Sequence, residues 1–151
     1  MPAINRVDFY MIAGIDNLAR LQFACRLTSK AWSMNNTVYL LVKNKQESEQ
    51  LDTMLWNLDK TSFIPHGIKD EDFSQQQPVL IGEDTSPGKG FDLFVNLTDL
   101  MPENVENNQR VAEILHQADD CLTPGRKRYT EYKLICQNND SELNYHELGN
   151  K

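Results

Sequence analysis

With 151 residues, 40% of them apolar and 25% charged, the chain has the size and balance of one domain that buries its own core without disulfide or metal staples. A net charge of −7 excludes broad, sequence-independent binding to nucleic acid, which depends on Lys and Arg displacing counterions; a local basic patch remains compatible with it. Three widely spaced cysteines without a CxxC pair suggest neither a zinc site nor a dithiol centre, and no apolar run approaches the roughly 20 residues that span a bilayer.

The elements follow in chain order. Val7 to Ile12 is a short apolar and aromatic run closed by Gly14, and it predicts a buried strand. Asp16 is placed to cap a helix over 17–34, where Leu18, Leu21, Ala24, Cys25, Thr28, Ala31 and Trp32 recur at helical spacing. Asn35 and Asn36 supply the stop. Thr37 to Val42 is almost continuously apolar, the mark of a strand buried on both faces of a parallel sheet. A second helix is expected over 46–58, with Leu51, Met54, Leu55 and Leu58 on one face. Ser62 to Gly67 is an apolar stretch ending in a breaker. Short strands are expected at 79–81 and 92–97. The spacing of Val111, Ile114 and Leu115 predicts a helix over 107–116. A last helix over 126–136 would be capped by Thr123, with Pro124 at its first position. Residues 143–148 read as a weak strand or tail.

Alternating strands and helices imply an α/β fold: a Rossmann-like, open, mainly parallel sheet with helices on both faces, in one domain over 1–151. The polar, Gln- and Pro-containing stretch 70–90 reads as loops around a short strand, and the last few residues as flexible. The free cysteines Cys25, Cys121 and Cys136, and the lack of a signal-peptide pattern, lead to the expectation of a cytoplasmic protein with no membrane contact.

Such a fold invites a nucleotide-binding reading, yet the motifs for it are absent. The first strand runs into Ala13-Gly14-Ile15-Asp16, not GxGxxG. Gly82 to Gly90 reads GEDTSPGKG, in which Lys89 is followed by Gly90, so no hydroxyl is placed for magnesium. His66, His116 and His146 are scattered, and no GxSxG elbow frames a nucleophile. No catalytic residue, metal ligand or cofactor is expected.

The positive signal is a basic cluster. Arg126, Lys127, Arg128 and Lys133 place four of the 15 basic residues within one short stretch that also holds Tyr129 and Tyr132. On a helix, Arg126, Tyr129 and Lys133 share a face. A cationic and aromatic face on an acidic protein suits an acidic peptide, a carboxylate terminus or a few phosphates. The alternative is a solvated helix face whose tyrosines pack on the sheet. Trp56 and Phe63 are likewise either core residues or a hydrophobic docking spot beside Pro65.

Two motifs carry a family likeness. Leu51-Asp52-x-x-Leu55-Trp56 followed by Ser62-Phe63-Ile64-Pro65-His66 resembles the LDxxLW…SFxPH signature of the chi subunit of bacterial DNA polymerase III. Arg126-x-Arg128-Tyr129-x-x-Tyr132-Lys133 resembles the RxRYxxYR/K stretch near that family's C-terminus, although Thr130 stands where family members often carry Lys. The resemblance implies a non-catalytic subunit of the holoenzyme. It implies binding to the psi subunit of the clamp loader and to the acidic C-terminal tail of single-stranded DNA-binding protein during DNA replication, so that DNA is met only indirectly. It assigns tail binding to Arg126, Arg128, Tyr129 and Lys133, and makes Trp56 and Phe63 candidate partner contacts.

Two other functional classes compete with this one. A nucleotide-dependent α/β enzyme lacks its phosphate loop. Direct binding of single-stranded DNA by the Tyr and Arg face of the last helix is opposed by the net charge and by the shortness of the patch.

Overall fold

Val7 and Phe9 alternate with Asp8 and Tyr10 in the first strand, and this alternation organises the molecule. The computed structural model describes residues 4–58, 64–69, 77–87 and 89–148. Its elements are β1 (Arg6–Met11), α1 (Asn17–Ser33), β2 (Val38–Leu41), α2 (Lys45–Asn57), β3 (His66–Ile68), β4 (Val79–Gly82), β5 (Leu93–Asn96), β6 (Arg110–Leu115), α3 (Asp119–Asn139) and β7 (Glu142–Glu147). A short 3-10 turn, Val105–Asn107, precedes β6. All strands pair in parallel, in the order β3-β4-β2-β5-β6-β1-β7. This is the open α/β sheet that the alternation of elements implies.

α1 and α2 cover one face of the sheet. Leu21, Cys25, Leu51 and Leu55 pack there on Leu40, Val95 and Ile114. α3 covers the other face, where Tyr132 and Cys136 pack on Phe9, Leu41, Phe94 and Val111. β2, β4 and β5 are buried along their whole length, which is why they read as continuous apolar runs. Each fully buried Leu or Phe of these layers contributes about 1.5–3 kcal/mol. Both leading helices start where their caps sit. Asp16 accepts from the Leu18 N–H at 2.9 Å, and Asn44 accepts from the Glu47 N–H at 2.9 Å.

Four elements differ from the sequence reading. Residues 110–115 form strand β6 between β5 and β1, not a helix. Val111, Ile114 and Leu115 fit a helical stripe, but Val111 and Leu115 face α3 while Ala112 and Ile114 face α1 and α2. The intervening Glu113, which a helix would turn to solvent, is fully buried. The last helix also begins earlier, at Asp119, with Pro124 inside it and neither Thr123 nor Pro124 at its start. Pro124 lies more than one turn in, where it has no N–H to offer the preceding turn. Asp119 and Asp120 supply negative charge at the positive end of the helix. Residues 142–147 form a full edge strand, β7, and β3 runs through Gly67, where a breaker was expected.

On β1, Val7 and Phe9 point to the α3 layer, and Arg6, Asp8 and Tyr10 point to the opposite face. Register places Arg110 of β6 beside Arg6, and Asn144 and His146 of β7 beside Asp8 and Tyr10. Asp8 is only 2% exposed. It accepts from Arg110 Nε at 2.8 Å and Asn144 Nδ2 at 3.1 Å, with His146 Nε2 also at 3.1 Å, and Arg6 Nε lies 2.9 Å away as an ion pair.

Burial alone would raise the Asp8 carboxyl. The hydrogen bonds from His146 and Asn144 and the Arg110 cation outweigh it and hold the carboxyl below its usual range. Because the folded value is depressed, this contribution to stability is present above the ordinary carboxylate range, near pH 4, and is lost as pH falls through the depressed value. Urea unfolding measured from pH 6 downward should therefore show an acid loss of stability that is much reduced in Asp8→Asn. An unchanged acid limb in that variant would contradict the assignment.

Candidate functional site

α3 lies on the sheet through two devices. The first is Gly125. A Cβ there would stand 2.7 Å from Leu115 Cδ1, so the helix approaches β6 this closely over glycine, and any larger residue must push the Leu115 side chain aside. The second is Glu113. Its carboxylate takes a two-pronged bond from Arg128, Nε to Oε2 at 3.1 Å and Nη2 to Oε1 at 2.9 Å. Oε2 also accepts from the Tyr132 hydroxyl at 2.8 Å and from Asn96 Nδ2 at 2.8 Å. One buried carboxylate thus ties α3 to β6 and β5.

The electrostatics follow from this placement. Burial works against a charged Arg128, but the adjacent Glu113 carboxylate outweighs it and raises the guanidinium further above its ordinary value. Tyr132 is pushed well upward by burial and by Glu113, so its hydroxyl stays a donor. Arg128 is 3% exposed. It does not offer its fork to a partner, as the sequence pattern implied: both prongs are committed inside the protein. Its Nη1 finds no acceptor among the described residues.

The other cluster residues point outward. With Arg128 and Tyr132 turned in, Arg126 and Lys133 are exposed and Tyr129 is half-buried. Tyr129 meets Phe9 edge to face at 5.1 Å. Beside it opens a hollow of about 300 Å³ with an apolar floor of Phe9, Met11, Leu115 and Leu122. Arg126, Tyr129 and the exposed Tyr145 of β7 form its rim. Tyr129 also borders a second, more polar hollow that contains Lys133, Gln137 and Ser141. The structure therefore brings Arg126, Tyr129 and Lys133 to one surface and leaves Arg128 beneath it. Two residues escaped the sequence reading. Tyr145 comes from the stretch read as a weak strand or tail. Glu113 lay in a segment read as helix, and its only signal was an acidic residue inside an apolar run.

The second motif sits elsewhere. Leu51 and Leu55 are core residues, as a helix packed on the sheet requires. Asp52 Oδ1 lies 3.0 Å from His66 Nε2, close but poorly aligned for a hydrogen bond, so it brings α2 next to β3. Trp56 is 55% exposed and meets the His66 ring edge-on at 5.1 Å. It is a surface residue and not core. Phe63 lies outside the described residues.

Comparison with known proteins identifies the family. Residues 4–135 match the family model described as DNA polymerase III chi subunit, HolC. The chain belongs to the chi subunit family of DNA polymerase III. It is 38% identical over 130 residues to DNA polymerase III subunit chi of Pseudomonas aeruginosa, covering 86% of this chain and 90% of that one. The chi subunit of Haemophilus influenzae is 23% identical over 130 residues, covering 84% and 89% of the two chains. That of Escherichia coli is 21% identical over 136 residues, covering 87% and 92%. A chain in a solved S. cerevisiae assembly, dbp5 bound to nup159, gle1, IP6 and ADP, superposes with a TM-score of 0.67 at 11% identity. It aligns with 97% of the present chain, which spans 42% of its length, and that likeness is one of fold alone. Among the described residues, no helix is long and apolar enough to cross a membrane.

The division between inner and outer cations is measurable. Arg128→Ala strands a buried carboxylate and should cost about 3–5 kcal/mol in urea unfolding. Arg126→Ala, at an exposed position, should leave the unfolding midpoint nearly unchanged. Equal effects from the two substitutions would contradict the arrangement.

Proposed function

We propose that the chain is a non-catalytic accessory subunit of the replicative polymerase. It ties the clamp loader, through the psi subunit, to single-stranded DNA-binding protein by holding that protein's acidic C-terminal tail. The observation that carries this reading is the pairing of an apolar hollow with exposed cations on α3 of an otherwise acidic protein. A tail that ends in aspartates, an apolar side chain and a free carboxylate needs both features. The apolar side chain enters the hollow over Phe9, Met11 and Leu115. The carboxylates meet Arg126, whose planar fork suits them, and Lys133. Tyr129 stands between the two hollows and supplies ring surface to either part of the tail. Arg128 contributes only by holding the helix that carries these groups.

Calorimetric titration with a synthetic tail peptide tests this reading. Binding should weaken as salt is added, because the charge pairs are exposed. Arg126→Glu and Lys133→Glu should each reduce affinity by about tenfold or more, the scale of a charged hydrogen bond. No heat at micromolar protein, or unchanged affinity in both variants, would overturn it.

The psi contact is proposed at the α2–β3 edge, where Trp56 is exposed and Phe63 follows in the same motif. An exposed Trp beside a His and a Pro is the kind of anchor on which protein interfaces concentrate their energy. Trp56→Ala should lower co-purification with psi while leaving the heats of tail-peptide binding unaltered. Full retention of psi by this variant would reject the assignment.

A further inference from the structure

β7 ends the sheet. β1 pairs it on one side, and among the described residues no strand pairs the other. The ladder with β1 fixes which backbone groups are used. The Glu142 N–H donates to the Asn5 carbonyl at 3.1 Å, and the Leu148 N–H donates to the Met11 carbonyl at 2.9 Å. Backbone direction alternates along a strand, so Glu142, Asn144, His146 and Leu148 turn their N–H and C=O groups toward β1. Leu143, Tyr145 and Glu147 turn theirs to the open edge.

The side chains of Leu143 and Tyr145 face α3. Leu143 packs on the α3 core and lines the more polar hollow, about 480 Å³, that holds Lys133, Gln137 and Ser141. Tyr145 stands on the rim of the apolar hollow beside Arg126. Asn144 and His146 face the other way, into a groove beside α1. Leu143 and Tyr145 are two residues apart, about 6.6 Å along a strand, and same-face side chains of any strand laid beside β7 repeat at that spacing. The two hollows therefore lie one such step apart along the open edge.

An unpaired edge strand beside side-chain hollows is an arrangement that captures extended peptides: main-chain bonds supply affinity, and alternate side chains supply specificity. We propose that the acidic tail assigned above docks in extended form along the free edge of β7, as an eighth strand of the seven-stranded sheet. The inference rests on that reading of the tail site and adds its binding mode. The apolar side chain of the tail enters the hollow at Tyr145, and the side chain two residues before it stands by Lys133 at Leu143. That order runs in the direction of β7, so the added strand is parallel, like the rest of the sheet. Asp140, Glu142 and Glu147 place negative charge at the two ends of β7, so charge alone does not hold a tail along this edge; main-chain bonds to Leu143 and Tyr145 do. A second copy of the chain fits less well. Full antiparallel pairing of β7 with its own copy would set Glu142 beside Glu147 at both ends, the like-charge contact by which edge strands resist self-pairing.

Two measurements on the full chain test the mode. The first is calorimetry with the synthetic tail peptide and with versions of it N-methylated at single backbone amides, which lose one donor and keep every side chain. Methylation at alternate amides, those turned to β7, should weaken binding about tenfold or more, and methylation at the intervening amides should change it little. The second is amide hydrogen exchange followed by NMR. Saturating peptide should slow exchange at Tyr145 by about tenfold or more, while Asn144 and His146, already bonded to β1, change little. A peptide that binds with the same affinity whichever amide is methylated, or that leaves Tyr145 exchange unaltered, would overturn the docked strand and leave the tail site standing. No heat from the unmodified peptide would overturn the tail site and the docked strand together.

Discussion

Glu113 is a carboxylate with no measurable exposure, and the arrangement of α3 depends on how it is satisfied. An ionised group in that position is tolerated only with close partners, and removing any one of them leaves an uncompensated charge. Arg128 and Tyr132, one turn apart on α3, and Asn96 on β5 supply those partners. Meeting that demand sets the rotation of the helix about its own axis. Once residues 128 and 132 face the sheet, helical periodicity turns 126, 130 and 133 outward. The surface chemistry of α3 is thus a consequence of a buried bond made on its other side.

β1 carries a comparable division across a single strand. Phe9 faces α3 and forms the floor of its hollow, while Asp8 faces the opposite way and organises the floor of the groove beside α1. Parallel sheets usually have both faces covered by helices. Here α1 leaves the β1–β7 end of its face open, and that end is built from Arg, Asp, Asn, Tyr and His in interlocking pairs instead of aliphatic side chains. The pairs stabilise each other without a covering layer.

The net charge gives these two surfaces their contrast. On a protein with net charge −7, the exposed Arg126 and Lys133 act as a local positive site against a repulsive background. Salt screens such sites within about 8–10 Å, so each acts only on what docks beside it. Short acidic segments suit this geometry better than an extended polyanion does.

Much of the architecture was legible in the sequence because its causes are local. The α1 stripe, the Asp16 cap, the apolar runs of β2 and β5 and the apolar face of α2 each depend on residues within a turn or two of one another. The two family motifs and the basic cluster are equally local. β6 was not legible, because Val111, Ile114 and Leu115 satisfy a helical period and a two-faced strand equally well. Only pairing with β1 and β5 on either side decides between them. Arg128 was misread for a related reason: its partner is 15 residues away on another element, and sequence spacing carries no record of that contact. The sequence by itself determined which chemical groups the last helix carries, since composition is local. Which of them meet solvent and which are buried was decided by tertiary structure alone, through the need of one interior carboxylate for partners that the chain brings to it only on folding.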